Sequence, residues 1–330
     1  MKQLNLQRLV LISLLLAALL LTGCAHPKWT FIVTGDTRGD NNGVNTGILA
    51  ELADETVKSK TDFILFSGDL VNGYNDQAAL QSQLSTWRSI MMPVYDAGIS
   101  VYVLRGNHDV GDPPAATAWN NIFKGRFTLP QNGPKGHENL TYSFTHKNAF
   151  VAALDQYIET QRVPQAWLDK QLAKNKKPHV FLLGHEPAFK TQHTDCLDDY
   201  PDDRDVFWTS IEKAGARTYF CGHDHFYNHA KIDDDGHPEN DIHQYIVGSG
   251  GAPLRDWPGQ YDGVNTAYTV EKIYHAKQFG YCLVEIDGID VTITWFERTG
   301  PSRYQPKETW SYKATPTSKP KKPLLLPFFH

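Results

Sequence analysis

Short runs of branched and aromatic residues recur along the chain. Residues 29–33 (WTFIV), 62–66 (DFILF), 100–104 (SVYVL), 179–183 (HVFLL) and 217–220 (RTYF) are four or five residues long, and each gives way to a polar segment containing glycine. Runs of that length, bounded by turn residues, predict strands. Between them, helical patterns cover about 45–59, about 76–92 and 163–175, where Pro164 suits a first turn and Trp167, Leu168 and Leu172 form an apolar face. Strands alternating with helices predict α/β layers, and ligands of such sheets bind beyond the carboxyl ends of the strands. Three later runs, 244–251, 281–287 and 290–296, follow one another with turn signals such as Asp287-Gly288 and no room for helices. They predict an antiparallel part. The fold class expected is therefore α/β, a sandwich of two mixed β-sheets flanked by helices.

The first residues follow a different pattern. Lys2 and Arg8 precede an apolar run from Leu9 to Leu21, which stops at small residues, as an export signal does. The run is short for a transmembrane span. Leu21-Thr22-Gly23-Cys24 resembles the lipobox of bacterial lipoproteins. That resemblance implies cleavage before a lipidated Cys24, with Ala25 favouring the outer membrane facing the periplasm, and two or three acyl chains suffice for stable anchoring. The expected organisation is a signal at 1–23, a lipidated start and linker at 24–28, one folded α/β domain at 29–312 and a disordered Pro/Lys tail at 313–330.

Composition adds two limits. With 330 residues and 41% hydrophobic content the chain can bury a sizeable core, while a formal net charge of -5 argues against a nucleic-acid polymer as partner. Besides Cys24, three cysteines remain, Cys196, Cys221 and Cys282; the latter two lie in strand-like runs and are expected as core residues, with no bridge assigned.

The polar segments after the first five runs carry the chemistry. They read Gly35-Asp36-Thr37-Arg38, Ser67-Gly68-Asp69, Gly106-Asn107-His108-Asp109, Gly184-His185-Glu186-Pro187 and Gly222-His223-Asp224-His225. Taken singly, each is a common turn. Together they offer two carboxylates, an amide and three imidazoles, a mixed oxygen and nitrogen set that suits manganese, iron or zinc better than calcium or magnesium. Six donors exceed one tetrahedral ion and fit two ions with open positions, bridged at roughly 3.5 to 4 Å.

This ordered set resembles the calcineurin-like metallophosphoesterases over about 29–296, and the acidic loop around Cys196, the segment 246–253 and the final strand pair resemble the purple, tartrate-resistant acid phosphatase branch. The resemblance implies hydrolysis of phosphate esters by hydroxide generated at a dinuclear centre. It implies that Asp36, Asp69 and His225 hold a first metal ion, that Asp69, Asn107, His185 and His223 hold a second, that His108 binds phosphate or protonates the leaving oxygen, and that Asp109 orients His108. Phosphorylated small molecules are the expected substrates. Monoesters lead; diesters, cyclic nucleotides or pyrophosphates on the same site are the alternative, and a non-catalytic envelope binding lipoprotein is the alternative of another class. Oligomeric state is left open.

Two positions depart from the family. Arg38 stands where many members place a metal-binding histidine, and Asn72 where the purple branch places a tyrosine, with Tyr74 too far along the turn to substitute. The first metal position therefore has one ligand fewer and is expected to bind more weakly. Arg38 is expected either to bind substrate phosphate through its two-pronged guanidinium or to pair with Asp40 or another nearby acid. The acidic run Asp195, Asp198, Asp199, Asp202, Asp203 and Asp205 reads either as an overhang that disfavours highly anionic substrates or as a solvated face. Tyr227 and Trp257 read as packing residues or as contacts for a substrate's organic group.

Overall fold

A computed structural model describes residues 28–73, 76–111, 116–159, 162–263 and 267–314. The signal, Cys24, Tyr74 and most of the Pro/Lys tail lie outside the described residues. Among the described residues no helix is long and apolar enough to cross a membrane.

Two mixed sheets face each other. The first has six strands in the order Arg303–Lys313, Asp290–Gly300, Gly280–Asp287, Trp29–Thr34, Phe63–Phe66 and Ser100–Val103. Trp29–Thr34 is the pivot: it runs antiparallel to Gly280–Asp287, with Val33 opposite Cys282, and parallel to Phe63–Phe66, with Val33 opposite Leu65. The second sheet has seven strands in the order Thr269–Ala276, Tyr227–Asp233, Ile242–Val247, Thr218–Cys221, His179–Leu183, Ala149–Ala153 and Tyr142–His146. Its central strands, Thr218–Cys221, His179–Leu183 and Ala149–Ala153, are parallel.

Every residue of Phe63–Phe66 and of His179–Leu183 is buried, as expected for central strands covered on both faces. Between the sheets, Phe31 meets Phe181 edge to face at 5.0 Å, and Tyr227 stacks on Trp295 at 4.0 Å with the rings nearly parallel. Tyr227 is thus a core residue. The helices Thr46–Ser59 and Gln77–Ile90 contribute Leu49, Leu52, Leu80, Leu84 and Trp87 to the core of the first sheet. They begin where the side chains of Asn45 and Asp76 accept from the backbone N–H groups of Ile48 and Ala78. Outside the second sheet, Leu168 of Gln165–Lys174 and Phe207, Trp208 and Ile211 of Pro201–Lys213 pack against Leu182 and Tyr219.

Cys196, Cys221 and Cys282 are all free and buried. Trp257 packs against Tyr261 and His275, at ring separations of 5.2 and 5.0 Å.

Candidate metal centre

The parallel strands bring the five glycine-bearing turns to one edge of the sandwich, and the turns bend sharply there. Asp36, Asp69 and His223 adopt left-handed backbone conformations, with φ of 55°, 51° and 71°. Each such residue costs about 1–3 kcal/mol and persists where the surroundings over-determine it, a pattern that concentrates at functional sites. Two glycines make the crowding possible. A Cβ on Gly68, itself at φ +95°, would lie 2.6 Å from the Gly106 nitrogen, and one on Gly222 would lie 2.2 Å from Asp36 Oδ2.

The side chains converge. Asp36, Asp69 and His185 are buried and each presents one donor atom within 4.8 Å of the others. His185 Nε2 lies 3.2 Å from Asn107 Oδ1 and 3.5 Å from Asp69 Oδ1, and His225 Nε2 lies 3.6 Å from Asp36 Oδ1. Backbone N–H groups hold both carboxylates: that of His108 donates to Asp69 Oδ1 at 3.0 Å, and that of His223 to Asp36 at 3.1 Å.

The tautomers are set from outside the cluster. His185 Nδ1 donates to the Ser67 carbonyl at 2.7 Å and His225 Nδ1 to the Pro253 carbonyl at 3.0 Å, so each turns an Nε2 lone pair inward. His223 is fixed the opposite way, its Nε2 donating to Asp195 Oδ1 at 3.2 Å, which leaves Nδ1 as its lone-pair nitrogen. Burial, helped by the neighbouring His223 and His108 and opposed by Asp69, pushes the His185 pKa down to about 4, and burial with the Arg38 charge pushes that of His225 down to about 3, so both are neutral donors at neutral pH.

Two buried carboxylates at such close quarters are a costly arrangement without a cation. Burial and the neighbouring Asp69 hold Asp36 well above the usual carboxylate range. Burial acts the same way on Asp69, but His185, His108, Arg38 and His223 together outweigh it and hold it below that range. Concentrated negative charge, inward imidazole lone pairs and an amide oxygen fit borderline divalent or trivalent metal ions.

Arg38 takes the ion-pair alternative, with a buried acid as its partner. It does not meet Asp40; its Nε lies 3.4 Å from Asp69 Oδ2, and its Nη2 lies 3.3 Å from His225 Nε2. Asn72 accepts from Arg38 Nη1 at 3.4 Å and is anchored through its own Nδ2 to the Gly39 carbonyl at 2.7 Å.

Asp109 does not orient the His108 imidazole. Its carboxylate accepts from the backbone N–H groups of Leu70, Val71 and Gly106 at 3.1, 3.2 and 2.9 Å, tying two ligand turns together. The imidazole is oriented instead by the Asn72 carbonyl, 2.7 Å from His108 Nδ1. His108 Nε2 then faces the cleft 3.9 Å from Asp69 Oδ2, on a side chain that is 32% exposed. Asp224 is likewise occupied: it is fully buried and accepts from the backbone N–H groups of Gln192 and His193 and from His193 Nδ1 at 2.5 Å.

The acidic run divides by role. Asp195 caps His223, which holds the Asp195 carboxyl down at about pKa 2 through their hydrogen bond. Asp198 is buried, pairing with Arg204 and accepting from the Lys190 backbone N–H at 2.8 Å. Asp202 and Asp203 occupy the first turn of Pro201–Lys213, where negative charge is favoured by the helix dipole. His193, not singled out from the sequence, packs with its ring tilted 4.4 Å from that of His223 and accepts from Arg255 Nη1 at 3.1 Å. No spacing marks His193 in the sequence, eight residues after His185; Asp195, ten residues after it, is read there as one of the acidic run and not as a partner of His223.

Comparison with known proteins gives the arrangement a family. The chain is 27% identical over 335 aligned positions to human tartrate-resistant acid phosphatase type 5, covering 88% of this chain and 95% of that one. Its fold matches the purple acid phosphatase PPD1 of yellow lupin with a TM-score of 0.64 at 15% identity, covering 89% of this chain and 57% of the lupin chain. It also matches a dimetal phosphatase of Danio rerio with a TM-score of 0.56 at 11% identity, over 87% of this chain and 99% of that one. The family model for calcineurin-like phosphoesterases matches residues 22–227, a span that contains every residue of the cluster from Asp36 to His225. The chain belongs to that family, and it is a metal-dependent hydrolase of phosphate esters.

Proposed function

We propose that the chain is a phosphomonoesterase of the cell envelope, held by lipid on Cys24 at the outer membrane facing the periplasm, and that its centre takes manganese, iron or zinc. The observation that carries the catalytic reading is the placement of His108: a partly exposed imidazole with a fixed Nδ1, whose Nε2 stands over the buried Asp36, Asp69, His185, His223 and His225, beside the exposed Asn107. Human tartrate-resistant acid phosphatase, which the chain resembles over most of its length, is by name an acid phosphatase, and this supports monoesters as substrates.

Two ions held by Asp36, Asp69, Asn107, His185, His223 and His225 would supply positive charge to the phosphoryl oxygens and a nucleophile at neutral pH. Asp69 stands between the two groups of donors, and Asn107, exposed at the rim, would contact the phosphate. His108, protonated at Nε2, hands that proton to the departing ester oxygen while its Nδ1–H stays on the Asn72 carbonyl. Arg38 adds a fixed positive charge at the same cleft.

The test is hydrolysis of an aryl phosphate against a bis-aryl phosphate by the full-length chain in detergent. Faster turnover of the monoester is expected; faster turnover of the diester would move the site to phosphodiester chemistry. For the anchor, Cys24→Ser is expected to move the protein from the membrane to the soluble fraction of its host, and a wild-type chain already soluble there would end that part of the proposal.

A further inference from the structure

The two halves of the donor cluster are not equally free. On the Asn107 and His185 side, donor atoms face one another at 3.2 to 3.5 Å, and among the described residues no lysine or arginine pairs with Asn107 Oδ1 or His185 Nε2. On the Asp36 and His225 side, Arg38 reaches inward. Its guanidinium meets Asp69 Oδ2 at 3.4 Å, His225 Nε2 at 3.3 Å and Asn72 Oδ1 at 3.4 Å. The His225 contact runs in one direction only. Because His225 Nδ1 gives its proton to the Pro253 carbonyl, Nε2 accepts, and the lone pair that an ion needs is engaged by Arg38 Nη2.

The grip is weak in geometry and strong in charge. All three contacts lie beyond the usual 2.7–3.2 Å range for N–H donors, and Arg38 Nε is buried without a hydrogen-bond partner. A guanidinium keeps its positive charge at any accessible pH, so it cannot yield the place by losing a proton. It yields only by moving.

We propose that Arg38 is a built-in competitor for the first metal position: an ion taking Asp36, Asp69 and His225 must displace the guanidinium from His225 Nε2. The position is then intrinsically weaker than the one formed by Asp69, Asn107, His185 and His223, and the displaced fork, no longer held by His225, has two N–H groups for an incoming phosphate dianion. The phosphate part rests on the phosphomonoesterase reading. The inequality of the two metal positions does not.

The experiment is manganese titration of the metal-stripped full-length chain without substrate, counting bound ions at each free concentration and recording the electron paramagnetic resonance spectrum. For the wild type, one equivalent is expected to bind first with the signal of an isolated ion, and the second at about tenfold or more higher free manganese, with appearance of an exchange-coupled signal. Arg38→Met, which keeps the aliphatic stem and removes the charge, is expected to narrow the gap by about tenfold, and Arg38→His, which adds a donor, to narrow it further. Thermal unfolding of each variant checks that it remains folded. Two equivalents binding together in the wild type, or a gap unchanged in both folded variants, would overturn the proposal. A chain that shows the gap yet hydrolyses no phosphate ester would retire the catalytic reading and leave Arg38 as competitor.

Discussion

His223 and Asp195 are 28 positions apart in the chain, and their side chains meet at 3.2 Å, Nε2 to Oδ1. That single contact decides which nitrogen of His223 keeps its lone pair. Hydrogen bonds of this kind orient metal-binding imidazoles, and losing one typically costs about 10- to 100-fold in metal affinity or activity. Asp195→Ala is expected to raise the metal concentration needed for half-maximal activity by about tenfold while Asp195→Glu recovers part of it. Equal metal dependence in wild type and Asp195→Ala would show that the contact positions nothing.

In the proposed mechanism His108 acts on the leaving group rather than holding the ions. Its replacement by alanine is therefore expected to lower kcat by about 10²-fold or more with metal content unchanged. The effect is expected to shrink for a substrate with a highly acidic leaving alcohol, which needs no proton. Loss of bound metal in His108→Ala would assign the residue to the centre itself.

The loop that carries Asn107 and His108 is tied to the second sheet by a buried pair. Arg105 Nε and Nη2 donate to Asp155 Oδ2 and Oδ1 at 2.7 and 3.0 Å, and both side chains are almost wholly inaccessible. Removing one member of such a pair strands a buried charge, so Asp155→Ala is expected to cost about 3–5 kcal/mol in chemical unfolding of the metal-free chain. The double replacement Arg105→Met with Asp155→Leu is expected to be less damaging than Asp155→Ala alone. A destabilisation below about 1 kcal/mol in the single variant would put the pair on a par with a surface ion pair.

Away from the centre, His229 and His243 share a hydrogen bond of 2.6 Å, with Glu308 on the other nitrogen of His229 and Trp310 stacked on His243 at 3.7 Å. Burial pushes the His243 pKa down to about 2, with the charges of His229, Arg217 and Lys231 acting in the same direction. His229 is also lowered, burial outweighing Glu308. In the unfolded chain a histidine titrates near about 6.5, so above that pH both states are neutral and this pair adds no pH dependence. Below it the unfolded chain takes up protons that the folded chain refuses, and stability falls by up to about 1.4 kcal/mol per pH unit per histidine. Thermal unfolding of the metal-free chain is expected to show a steeper loss between about pH 7 and about pH 5 than His243→Phe does. Parallel profiles for the two proteins would mean that His243 is protonated as easily folded as unfolded.

Much of the centre was legible because its ligands are local in sequence. Each of Asp36, Asp69, Asn107, His185 and His223 follows a strand by a glycine turn, and parallel strands carry their ends to one edge. What escaped depends on contacts that no period records. Asp195 and His193 sit in an irregular segment, and their partners His223 and Asp224 lie about thirty positions on. The acidic composition of 201–213 also masked a helix whose buried face is only Arg204, Phe207, Trp208 and Ile211. Asp109 misled by adjacency. In the tight 3₁₀ turn Asn107–Asp109 neighbouring side chains point different ways, so Asp109 serves the backbone of another turn while His108 takes its orientation from Asn72. Arg38 was visible as a departure, but its inward course follows from the charge of Asp69 and the fixed tautomer of His225, which only the folded chain reveals.

The most direct measurement strips the full-length chain of metal with a chelator and follows aryl phosphate hydrolysis as manganese, iron or zinc is returned. Hydrolysis is expected to vanish on stripping, to return with at least one of the three, and to stay absent in Asp69→Ala under every condition. Turnover that survives complete metal removal, or that persists in Asp69→Ala, would contradict a metal-dependent centre built on this cluster.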